Sequence, residues 1–153
     1  MFDAGQSGAS RGVLTICIGL RVSFTRESTR DMAKDFPAIT KRISDDIKKL
    51  RKDIPDTLNG FSALANAALR GGALDKKTKE LVALALGVAA HCDGCIGFHV
   101  EALVKLGASR QEIEEALGMA VYMGGGPALM YAADAIAAFE QFYELANTEA
   151  IED

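Results

Sequence analysis

From Pro37 onward, apolar residues return every three or four positions, and this period constrains the chain more than any other feature. Ile39, Ile43, Ile47, Leu50 and Ile54 recur with Lys and Asp between them. That is an amphipathic helix, and Pro55 ends it. Leu58, Phe61, Leu64, Ala65, Ala68 and Leu69 repeat the pattern until Gly71-Gly72 stops it. Asp75 offers its carboxylate as the cap of a third helix, in which Leu81 to Ala90 is apolar almost all round. Such a segment forms a core helix or an oligomer interface. A fourth helix runs from about Asp93 to Lys105, closed by Gly107. Ser109-Arg110-Gln111-Glu112 fits the S-x-x-E capping box and opens a fifth through Met123. Gly124-Gly125-Gly126 breaks the chain, and Pro127 suits the first position of a sixth. This last helix carries Ala128, Tyr131, Ala132, Ala135, Ala138, Phe139 and Phe142, and from Glu144 the chain is acidic and frays into a tail over 148–153.

The expectation is therefore an all-α compact bundle of about six helices. No segment of 20 to 50 residues repeats, and the strand signal is weak beyond residue 30. The absence of Trp, 7% aromatic residues and abundant alanine suit closely packed helices better than a β-sandwich. At 153 residues the chain is sized for one core. The net charge of −4 speaks against nucleic acid, whose phosphates require a basic surface. The segments 81–90 and 128–142 offer more apolar and alanine surface than so small a chain buries alone, which points to a homo-oligomer.

Residues 1–31 stand apart. Val13 to Phe24 is apolar but broken by Gly19 and Arg21, far short of the roughly 18 to 20 residues of a membrane span. It is also a poor signal peptide, without an A-x-A-like cleavage site. Met32 immediately precedes the helical pattern. The segment reads as a poorly ordered N-terminal extension, upstream of a late start, with a short added strand or a flexible arm as the competing reading. The helical domain is placed at 32–147, and a cytoplasmic location is the default.

The stretch that carries chemistry is His91-Cys92-Asp93-Gly94-Cys95-Ile96-Gly97-Phe98-His99. If a helix begins near Cys92, then Cys92, Cys95 and His99 project from one face, because 3.6 residues make a turn. A cysteine at a helix N-terminus meets unsatisfied N–H groups and the positive end of the dipole, which favour thiolate over thiol. A second cysteine three residues away lets a sulfenic acid or mixed disulfide resolve within the chain. Glu80, twelve residues before Cys92, reads as a carboxylate favoured by the start of its helix. Its second role would be to orient His99 and relay a proton from a cysteine.

At these residues the sequence resembles the carboxymuconolactone decarboxylase-like superfamily, especially its alkyl-hydroperoxidase D-like branch. The resemblance covers roughly Phe61 to Phe142. It comprises an acidic residue twelve positions before a C-x-x-C, a histidine four positions after it, a following L-G-A-S turn and an Ala-rich last helix. The resemblance implies that Cys95 is the attacking thiol, that Cys92 resolves it as a disulfide, and that Glu80 and His99 form a proton relay. It implies a peroxide or disulfide substrate, an external dithiol reductant, trimers or hexamers, and neither organic cofactor nor metal. One position departs: the best-known peroxidase members carry a histidine directly before the second cysteine, where this chain has Gly94.

Two other classes compete. One is a lyase of the carboxymuconolactone decarboxylase type, acting on a small carboxylated lactone with His99 and Glu80 as acid and base. The paired cysteines favour redox chemistry over it, since lactone decarboxylation has no evident need of a dithiol. The other is a zinc-bound or oligomeric binding module using His91, Cys92, Cys95 and His99. C-x2-C is a zinc spacing, but adjacent His91 and Cys92 would point about 100° apart on a helix. Cys17 reads as incidental, His91 as a helix-end or core residue, and Met119, Met123 and Met130 as packing. Gly124–Gly126 lacks the Lys-Ser/Thr of a phosphate loop, and Lys48-Lys49-Leu50-Arg51-Lys52 reads as a solvated helix face.

Overall fold

The structure, a computed structural model, describes residues 13–15, 21–23 and 34–152. The chain divides into two units, Met1–Lys34 and Asp35–Asp153. In the first, β1 (Val13–Thr15) pairs antiparallel with β2 (Arg21–Ser23), Val13 opposite Ser23. Beyond these strands, the expectation of a poorly ordered extension over 1–31 lies outside the described residues.

The second unit is all-α, as its sequence period requires. It comprises α1 (Phe36–Asp53), α2 (Pro55–Leu69), α3 (Lys76–Ala89), α4 (Asp93–Lys105) and α5 (Arg110–Glu152). The fifth and sixth expected helices form this one long element, broken at Gly125, whose φ of 66° and ψ of −152° are not helical. Pro127 has no N–H, and its ring collides with a helical carbonyl four residues back. Gly125 takes up the resulting bend at a positive φ that a residue with a Cβ would resist. The expected fraying from Glu144 is not seen: the backbone stays helical through Glu152, in a stretch of good helix formers such as Glu, Leu and Ala.

Local chemistry sets the helix ends. The Asp35 carboxylate accepts the Ala38 N–H at 2.9 Å, and Asp75 accepts that of Thr78 at 2.7 Å. Ser109 and Glu112 form the reciprocal box: the Ser109 N–H donates to Glu112 Oε2 at 2.8 Å, and the Glu112 N–H to Ser109 Oγ at 3.2 Å. At the end of α4, Gly107 adopts φ 69° while its N–H bonds Val104 O and that of Ala108 bonds Leu103 O. This is a Schellman turn, in which an αL residue closes the last carbonyls.

The core lies where α3, α4 and α5 meet. Leu84 and Val88 of α3, Ile96, Val100 and Leu103 of α4, and Ile113 of α5 are fully buried. Each such side chain contributes roughly 1.5–3 kcal/mol relative to exposure. Ala128, Ala132, Ala135 and Ala138 form a buried small-residue row on the second half of α5, which lets its backbone approach closely. Phe36 anchors α1: its ring is fully buried, and its N–H donates to Gln141 Oε1 at 2.9 Å.

Candidate active site

The site is built at the junction of α3 and α4. At the end of α3 the His91 N–H reaches Val88 O at 3.1 Å and the Cys92 N–H reaches Gly87 O at 3.0 Å. That is again the Schellman pattern, but its left-handed residue is His91, at φ 55°. A side chain in this region costs on the order of 1–2 kcal/mol, although histidine tolerates it better than most residues. The His91 ring stacks on Tyr131 of α5, with centroids 4.7 Å apart and planes 20° from parallel.

Cys92 closes one helix and caps the next. Its extended backbone (φ −108°, ψ 98°) makes it the N-cap of α4, and its Sγ accepts the Cys95 N–H at 3.2 Å. Cys92 and Cys95 are joined in a disulfide with their Cα atoms 5.2 Å apart. His99 follows one turn beyond Cys95 on the same helix.

Three glycines bring neighbouring elements against this turn. A Cβ on Gly87 would lie 3.1 Å from Cys95 Cβ, so α3 passes directly behind the second cysteine. One on Gly94 would lie 2.9 Å from Ile43 Cδ1, and one on Gly97 2.5 Å from Thr40 Cγ2. The position where this chain departs from the peroxidase pattern, Gly94, is thus covered by Ile43 of α1.

Glu80 lies in the interior rather than on a helix end facing water. It is 3% exposed, and its Oε2 meets His99 Nδ1 at 2.7 Å. A carboxylate that accepts the Nδ1 proton fixes the ring's orientation and leaves Nε2 with the lone pair. No buried side-chain nitrogen or oxygen among the described residues is left without a partner. The structure therefore brings Cys92 together with Cys95, and Glu80 with His99, while His91 turns away to Tyr131. Among the described residues, no three His, Cys, Asp or Glu side chains are grouped to hold a metal ion. Gly87, Ile43 and Tyr131 escaped the sequence reading as parts of the site. A glycine inside an otherwise apolar helix was the available signal for Gly87, since it costs helix stability and signals close approach.

Comparison with known proteins decides the family. Residues 55–138 match the Carboxymuconolactone decarboxylase family. The chain belongs to that family. A crystal structure of a carboxymuconolactone decarboxylase family protein from Legionella pneumophila is 62% identical, with a TM-score of 0.70 over 71% of this chain and 96% of that one. A Thermotoga maritima family member, for which a part in the antioxidative response has been suggested, is 36% identical at a TM-score of 0.57, over 60% of this chain and 95% of that one. An uncharacterized protein of Cupriavidus necator is 38% identical over 86 residues, which are 56% of this chain and 76% of the relative. The family match includes α2 to α4 and much of α5, hence both cysteines, Glu80 and His99. No helix among the described residues is long and apolar enough to cross a membrane.

Proposed function

We propose that this family member is a thiol-dependent antioxidant oxidoreductase of the alkylhydroperoxidase-like type, acting in residues 32–147. The observation that carries the reading is the Cys92–Cys95 disulfide at the head of α4, one turn from a histidine held by a buried carboxylate. In the reduced protein the Cys95 thiolate attacks the terminal oxygen of a hydroperoxide. An S–O bond forms, the O–O bond breaks, and the departing alkoxide takes a proton by way of His99, which Glu80 orients. Cys92 then attacks the Cys95 sulfenic acid, forming the disulfide and releasing water. An external dithiol supplies the two electrons that reset the pair, so the protein works in a reducing compartment such as the cytoplasm. No organic cofactor or metal enters these steps. Exposed Phe61, Leu64, Val82, Leu86, Met119 and Met123 support a homo-oligomer, with the trimers or hexamers implied by the resemblance as its form.

Thiol trapping with mass spectrometry tests this reading. The reduced protein is challenged with an organic hydroperoxide and the Cys92–Cys95 disulfide is followed over time. Its rapid appearance is expected, with Cys95→Ser abolishing hydroperoxide consumption. Glu80→Gln and His99→Ala should slow the reaction by about 10²-fold, the lower end for losing a positioned acid–base group. Thiols that remain reduced under this challenge would overturn the peroxidase reading and turn attention to lactone decarboxylation.

A further inference from the structure

One residue of α3 meets both cysteines. The carbonyl of Gly87 accepts the Cys92 N–H at 3.0 Å, which fixes the first cysteine at the corner where α3 ends. The Cα of Gly87 faces the second: a Cβ there would lie 3.1 Å from Cys95 Cβ and 3.7 Å from both Cys95 C and Ile96 N. Gly87 is buried, while Cys92 and Cys95 are both half-buried. Glycine is the poorest helix former after proline, and its neighbours in Leu81–Ala90 are Ala, Leu and Val. Its place inside such a helix answers to a close approach that a side chain would block. We propose that Gly87 is the positioning residue of the cysteine pair: it holds Cys92 and Cys95 ready to bond, in the dithiol as in the disulfide, and so sets the equilibrium between the two forms. That the pair opens and closes rests on the redox reading above; which oxidant closes it does not enter.

A methyl at this position acts unequally on the two cysteines. In Gly87→Ala the carbonyl remains and keeps its bond to the Cys92 N–H. The added methyl meets Cys95 Cβ, which has no torsion of its own and moves only with the backbone of α4. Cys95 is therefore displaced relative to Cys92. A disulfide accepts a narrow range of Cβ separations, whereas two free thiols tolerate a wider one. The strain falls on the bonded form, and the equilibrium moves toward the dithiol.

Packing by itself has a different consequence. A glycine that only lets α3 approach α4 stabilises the reduced and the oxidised chain alike, and its loss leaves their balance unchanged. Gly97 supplies that comparison on the same helix. A methyl there meets Thr40 Cγ2 at 2.5 Å and Phe36 Cδ1 at 3.5 Å, both on α1, and neither cysteine.

The test equilibrates the full chain with mixtures of reduced and oxidised glutathione, quenches with acid, and reads the fraction of Cys92–Cys95 disulfide by mass spectrometry. In this exchange the two thiols of the chain give two electrons and two protons to glutathione disulfide, which becomes two molecules of glutathione. Gly87→Ala is expected to lower the equilibrium constant for closure about tenfold, a rise of about 30 mV in reduction potential. Gly97→Ala, although it loosens the packing of α1 on α4, should match the wild type. An unchanged constant in Gly87→Ala, or an equal fall in Gly97→Ala, would overturn the positioning role. Hydrogen exchange of the wild-type protein decides the matter even if Gly87→Ala does not fold. The Cys92 amide, held by Gly87 O, should keep its protection when the disulfide is reduced. Collapse of that protection on reduction would show that the bond, rather than Gly87, holds the corner. A pair that equilibrates with glutathione but ignores hydroperoxide would sink the peroxidase reading and leave the role of Gly87 standing.

Discussion

α2 and α4 are helices of similar length within the same family match, and they are held in opposite ways. α4 buries Ile96, Val100 and Leu103 completely and is pressed by α1, α3 and α5. α2 buries no residue, and Phe61 and Leu64 remain 67% and 65% exposed. What holds α2 is polar: Arg51 bonds Asn59 and Ser62, while the Lys79 ammonium donates to the Ala68 and Arg70 carbonyls at its end. An apolar period reveals which face of a helix avoids water, but not which molecule supplies the cover. For α4 the cover comes from the same chain, and this gives the disulfide turn a rigid seat. For α2 no such cover comes from the described residues.

The largest expected effect separates these two kinds of face. Ile96→Ala should cost about 2–5 kcal/mol, the usual range for truncating a fully buried aliphatic side chain, at every protein concentration. Phe61→Ala should change the stability of dilute protein by less than about 0.5 kcal/mol, as for most exposed sites. Urea denaturation at two protein concentrations checks both. If the proposed homo-oligomer forms through this face, the wild-type midpoint falls on dilution, because association stabilises only the folded form, and in Phe61→Ala this dependence shrinks. Equal losses for the two variants in dilute protein would erase the contrast.

Glycines sharpen it. A methyl on Gly97 would lie 2.5 Å from Thr40 Cγ2 and 3.5 Å from Phe36 Cδ1, so Gly97→Ala must push α1 away from α4. Overpacking of this kind costs about 1–3 kcal/mol. On α2, a methyl at Gly60 meets nothing within 4 Å. Gly60→Ala should therefore stabilise by up to about 1 kcal/mol, through helix propensity alone. Thermal unfolding of the two variants should shift in opposite directions, and shifts of the same sign would show that α2 is packed after all.

These glycines also mark the limit of what the sequence could reveal. Chain-local features were legible: the caps at Asp75 and Ser109, the stop at Gly107, the break before Pro127, and the shared face of Cys92, Cys95 and His99. Each depends on residues within about two turns, which is the range of helix period and capping. Contacts between helices were not legible. Nothing in local spacing says that Ile43 covers Gly94, that Gly87 backs Cys95, or that Tyr131 lies under His91. Glu80 had the right distance along the chain, but its burial follows from the antiparallel packing of α3 on α4, which no period encodes. The kinked α5 shows the reverse case: the break was readable, whereas the persistence of helix to Glu152 depended on formers read as an acidic tail.

The smallest expected effect concerns how the frame around α4 responds to acid. Glu112 links α3 to α5: its Oε1 pairs with Lys77 at 2.6 Å, and its Oε2 accepts the Ser109 N–H at 2.8 Å. The Lys77 ammonium first, then the Ser109 donors, pull its carboxyl from 4.5 down to about 2. A depressed carboxyl contributes stability that is fully present above the unfolded value and fades as pH falls from about 4.5 through about 2. α2 is tied to α3 through the Ala68 and Arg70 carbonyls, to which Lys79 donates, and no carboxyl group takes part in these contacts. Between pH 6 and 3, acid should therefore loosen the α3–α5 link while leaving the Lys79 contacts intact. In urea titrations, Glu112→Gln should lose less stability over that interval than the wild type. The difference should shrink in 1 M NaCl, because the pair lies at the surface and is screened. Hydrogen exchange should show the acid-induced opening at the first turn of α5 rather than at the end of α2. Identical acid slopes for the two proteins would mean that Lys77 and Glu112 contribute only geometry to the frame.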